Sequence, residues 1–157
     1  MKPNIGIAEK DLQKTSKTLS GLLANENLLY IKTRKFHWNI SGNSFMELHL
    51  LFEAQYKELE EVIDEVAERI SKLGSKTIGT MQEFIEHATL KESPANYPLQ
   101  KETITELLTD HEQVITEIRE HVDNEKKEGL DAGTTDFITG IMEKHETIAW
   151  KLRRYLS

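Results

Sequence analysis

Gly74-Ser75-Lys76-Thr77-Ile78-Gly79-Thr80, then Met81 through Ala88, then Thr89-Leu90-Lys91-Glu92-Ser93-Pro94-Ala95-Asn96-Tyr97-Pro98-Leu99-Gln100: this stretch of the 157-residue chain decides the architecture. It breaks the helical period found on both sides of it and offers no strand-like alternation. Met81 to Ala88 reads as a short helix. Pro94 and Pro98 forbid a continuous one, because proline lacks an N–H and its ring clashes with the preceding turn. Residues 75 to 100 are therefore a long crossover carrying one short helix.

Upstream, from about Ala8 to Phe36, Leu12, Leu19, Leu22, Leu23, Leu29, Thr33 and Phe36 recur at spacings of three, four and seven, which marks a long amphipathic helix. Asn39-Ile40-Ser41-Gly42-Asn43 is a turn by composition. Ser44-Phe-Met-Glu47 then has the pattern of a capping box opening a second helix. That helix carries Leu48, Phe52, Tyr56, Leu59, Ile63, Val66, Ile70 and Leu73 and ends at Gly74. Downstream, a third helix spans about Lys101 to Lys127 with Ile104, Leu107, Leu108, Val114, Ile118 and Val122 on one face. Gly129 and Gly133 bracket a turn, and a fourth helix follows over about Thr134 to Tyr155, with Phe137, Ile141, Met142, Ile148, Ala149, Leu152 and Tyr155 inward. Four long helices with the one long connection in the middle describe an all-α, ferritin-like four-helix bundle, with a short helix in the crossover between helices 2 and 3. One domain fills 1–157, with a short N-terminal tail over about 1–7.

The composition removes several function classes. Cysteine is absent, which excludes a disulfide scaffold and a thiolate metal or redox site. No apolar run reaches the roughly 18 residues of a membrane span, and residues 1–14 lack the apolar stretch of a secretory signal, so the expectation is a cytoplasmic chain without a membrane partner. The 20 Lys and Arg against 27 Asp and Glu give −7, which favours cations over polyanions.

The candidate chemistry lies in the histidines and carboxylates. A bundle-core di-iron site would show Glu-x-x-His. The residues three before His37, His49, His87, His111, His121 and His145 are Arg34, Met46, Phe84, Leu108, Ile118 and Met142, so that centre is disfavoured. On the second helix, His49 and Glu53 are four apart, as are Asp64 and Glu68, and each pair shares a face. The pairs lie roughly 22 Å apart along the helix axis, too far to share a metal within one chain. Two copies packed antiparallel about a two-fold axis would bring the His49/Glu53 end of one beside the Asp64/Glu68 end of the other. His37, at the end of the first helix, would complete the set, and imidazole with carboxylate suits iron, manganese or zinc. Taken alone, Glu53, Asp64 and Glu68 equally fit the solvated face of a charged helix.

His37-Trp38-Asn39-Ile40-Ser41-Gly42 followed by Leu48-His49-Leu50-Leu51-Phe52-Glu53 resembles the first signature of the Dps family of ferritin-like mini-ferritins. Ile63-Asp64-Glu65-Val66-Ala67-Glu68-Arg69 with Leu73-Gly74 resembles its second, and Gly133 through Arg153 resembles its last helix. Thr77 departs from the Pro or Ala usual in the second signature, and position 53 is often Asp in the family. The resemblance implies a homododecameric hollow shell that oxidises ferrous iron with hydrogen peroxide and stores ferric mineral, protecting against oxidative stress. His37, His49 and Glu53 of one subunit and Asp64 and Glu68 of its two-fold mate would hold the iron, and Trp38 beside them would trap radicals or simply pack. The acidic three-fold pores of the family point to Asp131 and Asp136 as lining; alternatively Asp136 is a favourable first-turn residue of the last helix.

Many Dps proteins bind DNA through a basic tail. Residues 1–17 here carry Lys2, Lys10, Lys14 and Lys17 against Glu9 and Asp11, and twelve copies at −7 would total roughly −84. Weak or absent DNA binding is expected at physiological salt. The competing expectation is a DNA-compacting nucleoid protein of starved cells with secondary ferroxidase activity.

Overall fold

The computed structural model describes residues 3–128 and 131–157, with the helical backbone alone for 125–128. It has five helices: α1 (Glu9–Asn39), α2 (Phe45–Lys72), α3 (Met81–His87), α4 (Gln100–Glu128) and α5 (Ala132–Leu156), and no strand among the described residues. α1 pairs with α2 and α4 with α5 as antiparallel hairpins. Lys32–Asp110 ties α1 to α4, and Lys144–Glu65 ties α5 to α2. Leu19, Leu23, Leu29, Phe52, Val66, Leu107, Ile148 and Leu152 fill the centre at about zero exposure.

α2 and α4 run in the same direction, so the chain must travel back the length of the bundle between them. The length of α2 corresponds to about 42 Å at 1.5 Å per residue, which explains why no short loop would serve. α1 straps this return. The Asn25 carboxamide oxygen accepts from the N–H groups of Thr89 and Leu90 at 2.9 and 3.1 Å. Lys32 donates to the carbonyl of Lys91 at 2.7 Å, and Lys35 to that of Ser93 at 2.9 Å. α3 is opened by a capping box: the Thr80 hydroxyl accepts from the Glu83 N–H while the Glu83 carboxylate accepts from the Thr80 N–H.

The termination of α2 follows the expectation at Gly74. Its φ of +84° is a left-handed conformation that glycine adopts without steric cost. Gly74 N–H donates to Ser71 and Ser75 N–H to Ile70, the paired bonds of a Schellman ending. The Pro3 ring lies against Gly74, where a Cβ would come within 2.5 Å of its Cδ. The N-terminal segment is thus pinned from residue 3.

Several expected boundaries move. α1 continues one turn past Phe36 and takes in His37, Trp38 and Asn39, leaving Ile40 to Ser44 as the turn. Ser44 precedes α2 without making a side-chain cap, so the Ser44–Glu47 capping box does not form; its ψ of 29° and the Phe45 N–H to Gly42 carbonyl bond leave the start to a backbone turn. α5 starts at Ala132 rather than Thr134, because the Asp131 side chain caps it by accepting from the N–H groups of Gly133 and Thr134. Gly133 is therefore helical, and Gly129 lies outside the described residues. Tyr155, expected inward, is 44% exposed.

The fully buried Leu107 and the exposed Leu99 provide a contrast for stability. Leu107→Ala is expected to cost about 2–5 kcal/mol through lost burial and a cavity, whereas Leu99→Ala stays within about 0.5 kcal/mol. Urea denaturation followed by circular dichroism measures both.

Candidate metal centre

The α1–α2 turn brings His37 and His49 together. Their rings stack at 3.8 Å between centroids with a 19° tilt. Nδ1 of His37 is 2.8 Å from the His49 carbonyl, and Nδ1 of His49 is 3.0 Å from the His37 carbonyl. A carbonyl can only accept, so each Nδ1 carries a hydrogen. In the neutral ring this leaves Nε2 with the free lone pair, so one tautomer is selected for both imidazoles. Metal-binding histidines are commonly held in this way, by a backbone oxygen on the other ring nitrogen. His37 is buried and His49 half-buried, so the pair is shielded from water without being sealed from it.

Glu53, one turn beyond His49, is half-buried and pairs with Lys57 at 2.5 Å. The Lys57 hydrogen bond and charge, with smaller contributions from His37 and His49, hold its carboxyl below the usual range. Glu68 pairs in the same way with Lys72 at 2.8 Å, which lowers its pKa. Asp64 and Glu68 are exposed on α2, about four turns beyond the level at which α1 and α2 carry the histidines. Among the described residues, no three His, Asp or Glu side chains of one chain gather closely enough to hold a metal ion. Of the five expected ligands the structure brings His37 and His49 into contact, sets Glu53 one turn further along α2 on Lys57, and keeps Asp64 and Glu68 apart from all three.

Trp38 is 63% exposed next to this pair, with the Arg34 guanidinium 5.1 Å from its ring centroid. Sequence reasoning missed the surrounding aromatic groups. Tyr56 meets His37 edge-on at 5.3 Å and Tyr30 at 6.2 Å, and the Tyr30 hydroxyl accepts from Arg34 at 2.6 Å. The signal was available: Tyr30, Arg34 and Trp38 sit four apart on α1, which puts them on one face. Lys57 and Lys72 were missed too, although each stands four residues after a candidate ligand.

Asp131 is not a free carboxylate. It caps α5, accepts from the Thr134 hydroxyl, and pairs with Arg69 at 2.7 Å. Partial burial alone would raise its pKa, but the Thr134 hydroxyl, the Arg69 charge and the N–H groups of Gly133 and Thr134 outweigh that and lower it. Asp136 is exposed on the second turn of α5 rather than the first.

A four-helix bundle with its one long crossover in the middle defines a ferritin-like subunit, and the comparisons agree. The ferritin-like domain model matches residues 16–157. The chain is 44% identical over 153 residues to a low temperature-induced protein of Nostoc, covering 98% of this chain and 86% of that protein. It is 34% identical over 140 residues to DNA protection during starvation protein 2 of Bacillus anthracis, covering 88% and 94%. Among solved structures, the Dps protein of Vibrio cholerae, described as a member of a broad superfamily of ferritin-like diiron-carboxylate proteins, superposes with a TM-score of 0.91 at 29% identity over 99% of this chain and 97% of that one. Dps from Thermosynechococcus elongatus gives 0.88 at 31%, covering 94% and 93%. The chain belongs to the Dps family of ferritin-like proteins. Among the described residues, no helix is long and apolar enough to cross a membrane.

The Glu53–Lys57 pair generates a test of the half-site. Lys57→Met removes the cation that competes for Glu53, so Zn2+ bound by the assembled protein should tighten severalfold in calorimetric titration, with unchanged stoichiometry. Unaltered affinity would mean that Glu53 is not a ligand.

Proposed function

We propose that this protein oxidises ferrous iron with hydrogen peroxide at centres shared between two-fold-related subunits of a dodecameric shell, and stores the ferric product inside. The observation that carries this reading is the reciprocal locking of His37 and His49, which leaves both Nε2 lone pairs available beside the ionised Glu53. Imidazoles that merely packed would not need the same nitrogen held on each ring. Asp64 and Glu68 supply the remaining carboxylates from the mate, because the rise of α2 prevents one chain from closing the set. The exposed Trp38, Phe45, Met46 and Leu50 around the α1–α2 turn support a subunit contact at this place.

Iron here is the substrate. Two ferrous ions each give one electron to a single peroxide, the O–O bond breaks, and with two protons the products are two ferric ions and two waters. Paired transfer leaves no hydroxyl radical. Carboxylates favour the ferric state by their charge, and the neutral imidazoles leave positions for the oxidant. Trp38 stands where a stray oxidising equivalent could be taken up by an indole. Of the two pore candidates, Asp136 is the one with its carboxylate exposed, while Asp131 acts through α5 and Arg69.

The DNA-compacting reading draws on relatives named for DNA protection, such as the Bacillus anthracis protein. The charge of −7 opposes it, as do Pro3 packed on Gly74 and the placement of Lys10, Lys14 and Lys17 on α1 rather than on an arm. In a gel-shift at about 0.15 M salt, no stoichiometric condensation of DNA is expected.

Subunit mixing tests the shared centre. A His37→Ala/His49→Ala variant and an Asp64→Ala/Glu68→Ala variant should each be nearly inactive in peroxide-driven ferrous oxidation followed by ferric absorbance. After dissociation and co-assembly in equal amounts, half the dimers are mixed and each has one intact centre, so about a quarter of wild-type activity should return. A centre confined to one chain would give no recovery.

A further inference from the structure

A polar string runs through the middle of the bundle, and the iron chemistry makes no use of it. Glu26 of α1, His145 of α5 and His111 of α4 are exposed by 1% or less. His145 Nε2 is 2.8 Å from a Glu26 carboxylate oxygen, and its Nδ1 is 2.8 Å from Nδ1 of His111. One hydrogen must sit in each link, since two bare lone pairs or two N–H groups cannot face each other at that distance. The His111 and His145 ring centroids are 5.0 Å apart. With the nitrogens at 2.8 Å, both lie close to the line joining the rings, and their lone-pair axes meet nearly head-on. A metal ion needs about 2.0–2.1 Å to each imidazole nitrogen, which this gap does not admit. A proton fits it.

Among the described residues, no hydrogen-bond partner meets the second Glu26 oxygen, His111 Nε2, or either polar atom of Gln55, a side chain of α2 that is 2% exposed. Tyr30–Tyr56 and His37–His49 set the register of α1 against α2, and Lys32–Asp110 sets that of α1 against α4. These ties put Gln55 and His111 near one height in the bundle.

We propose that Glu26, His145 and His111 form a buried proton-binding site, in which one proton held between the two imidazoles pins α4 to α5, and a further proton taken up in mild acid breaks the link and loosens the subunit. With one hydrogen already in the link, a proton on the facing Nδ1 as well would set two N–H groups against each other and add positive charge to a buried interior. The charged groups on the surrounding elements do not relieve this. On α1, Glu26 can balance one imidazolium, and Lys32 is already matched by Asp110 at 2.6 Å and Glu106 at 3.3 Å on α4. α2 offers the neutral Gln55, and α5 offers His145 itself. Burial, and after it the proximity of His145, lowers the pKa of His111 well below the ordinary 6.5, in the same direction. The folded chain then resists a proton that the unfolded chain accepts, so stability is full above about pH 6.5 and falls as pH drops through it.

Two measurements test the site, and neither depends on ferroxidase activity. The urea midpoint of the wild type should fall between pH 7 and 5, while that of His111→Gln, neutral at every pH, should fall clearly less; His37, His49, His87 and His121 are common to both chains and cancel. Parallel curves would overturn the proposal. Hydrogen exchange of the wild type, read by mass spectrometry and corrected for intrinsic rate, needs no folded variant. Peptides around Leu107–Ile118 and Ile141–Leu152 should lose at least tenfold protection at pH 5 relative to pH 7, against no comparable loss near His49. Equal loss everywhere, or none, would refute a central proton site.

Discussion

The register between α1 and α2 is the constraint on which the other features depend. Two imidazoles that each hydrogen-bond the other's backbone carbonyl can satisfy both bonds in only one alignment of the hairpin. That alignment buries His37, sets Tyr56 against it, and puts Gln55 rather than a neighbouring apolar residue opposite the middle of α1. It also fixes where Asp64 and Glu68 emerge, several turns further along a helix that rises about 1.5 Å per residue. The meeting of His37 with His49 and the distance of both from Asp64 and Glu68 are one fact of geometry.

The acidic excess is less free than the raw charge suggests. Glu53 and Glu68 each hold a lysine four residues on, Asp131 is shared between a helix cap and Arg69, and Asp110 is committed to Lys32. Pairs of the first kind are solvent-screened and join residues of one helix turn, so they add little to the cohesion of the fold. The Asp131 cluster is different: one carboxylate accepts from two backbone N–H groups, a hydroxyl and a guanidinium, and losing it would unsettle the start of α5. The more exposed Glu53 and Glu68 are thus held only by a lysine of their own helix, whereas the more buried Asp131 and Asp110 tie separate elements together.

Most of the fold was legible because it rests on period alone. The apolar residues of α1, α2, α4 and α5 recur as a buried stripe should, and the prolines of the crossover break helix wherever they stand. The meeting of His37 and His49 was legible because they are near in sequence across a short turn. What escaped depended on backbone detail or on long-range meetings. Ser44 has the side chain of a cap but not its backbone conformation, whereas Asp131, read as pore lining, has both. The strapping of the crossover by Asn25, Lys32 and Lys35 pairs residues about sixty positions apart, which no local pattern reveals. The buried string left a trace that was available: Glu26 interrupts Leu22-Leu23…Leu29, His111 stands between Leu107 and Val114, and His145 between Met142 and Ile148. A charged or titratable residue on an apolar stripe is a better pointer to a buried network than any metal-binding motif.

Bundle interiors of the ferritin-like kind commonly carry metal ligands from all four helices. In this chain Glu26 is the buried carboxylate of the string, and the two imidazoles meet at a hydrogen-bond distance that leaves no room for an ion between them. A fully apolar centre would then be the more stable choice, because unsatisfied buried polar atoms cost about 1–3 kcal/mol each. Retaining Glu26, Gln55, His111 and His145 there exchanges stability for a centre whose cohesion depends on a single proton. The α1–α2 register sets the height at which both the His37–His49 pair and Gln55 lie.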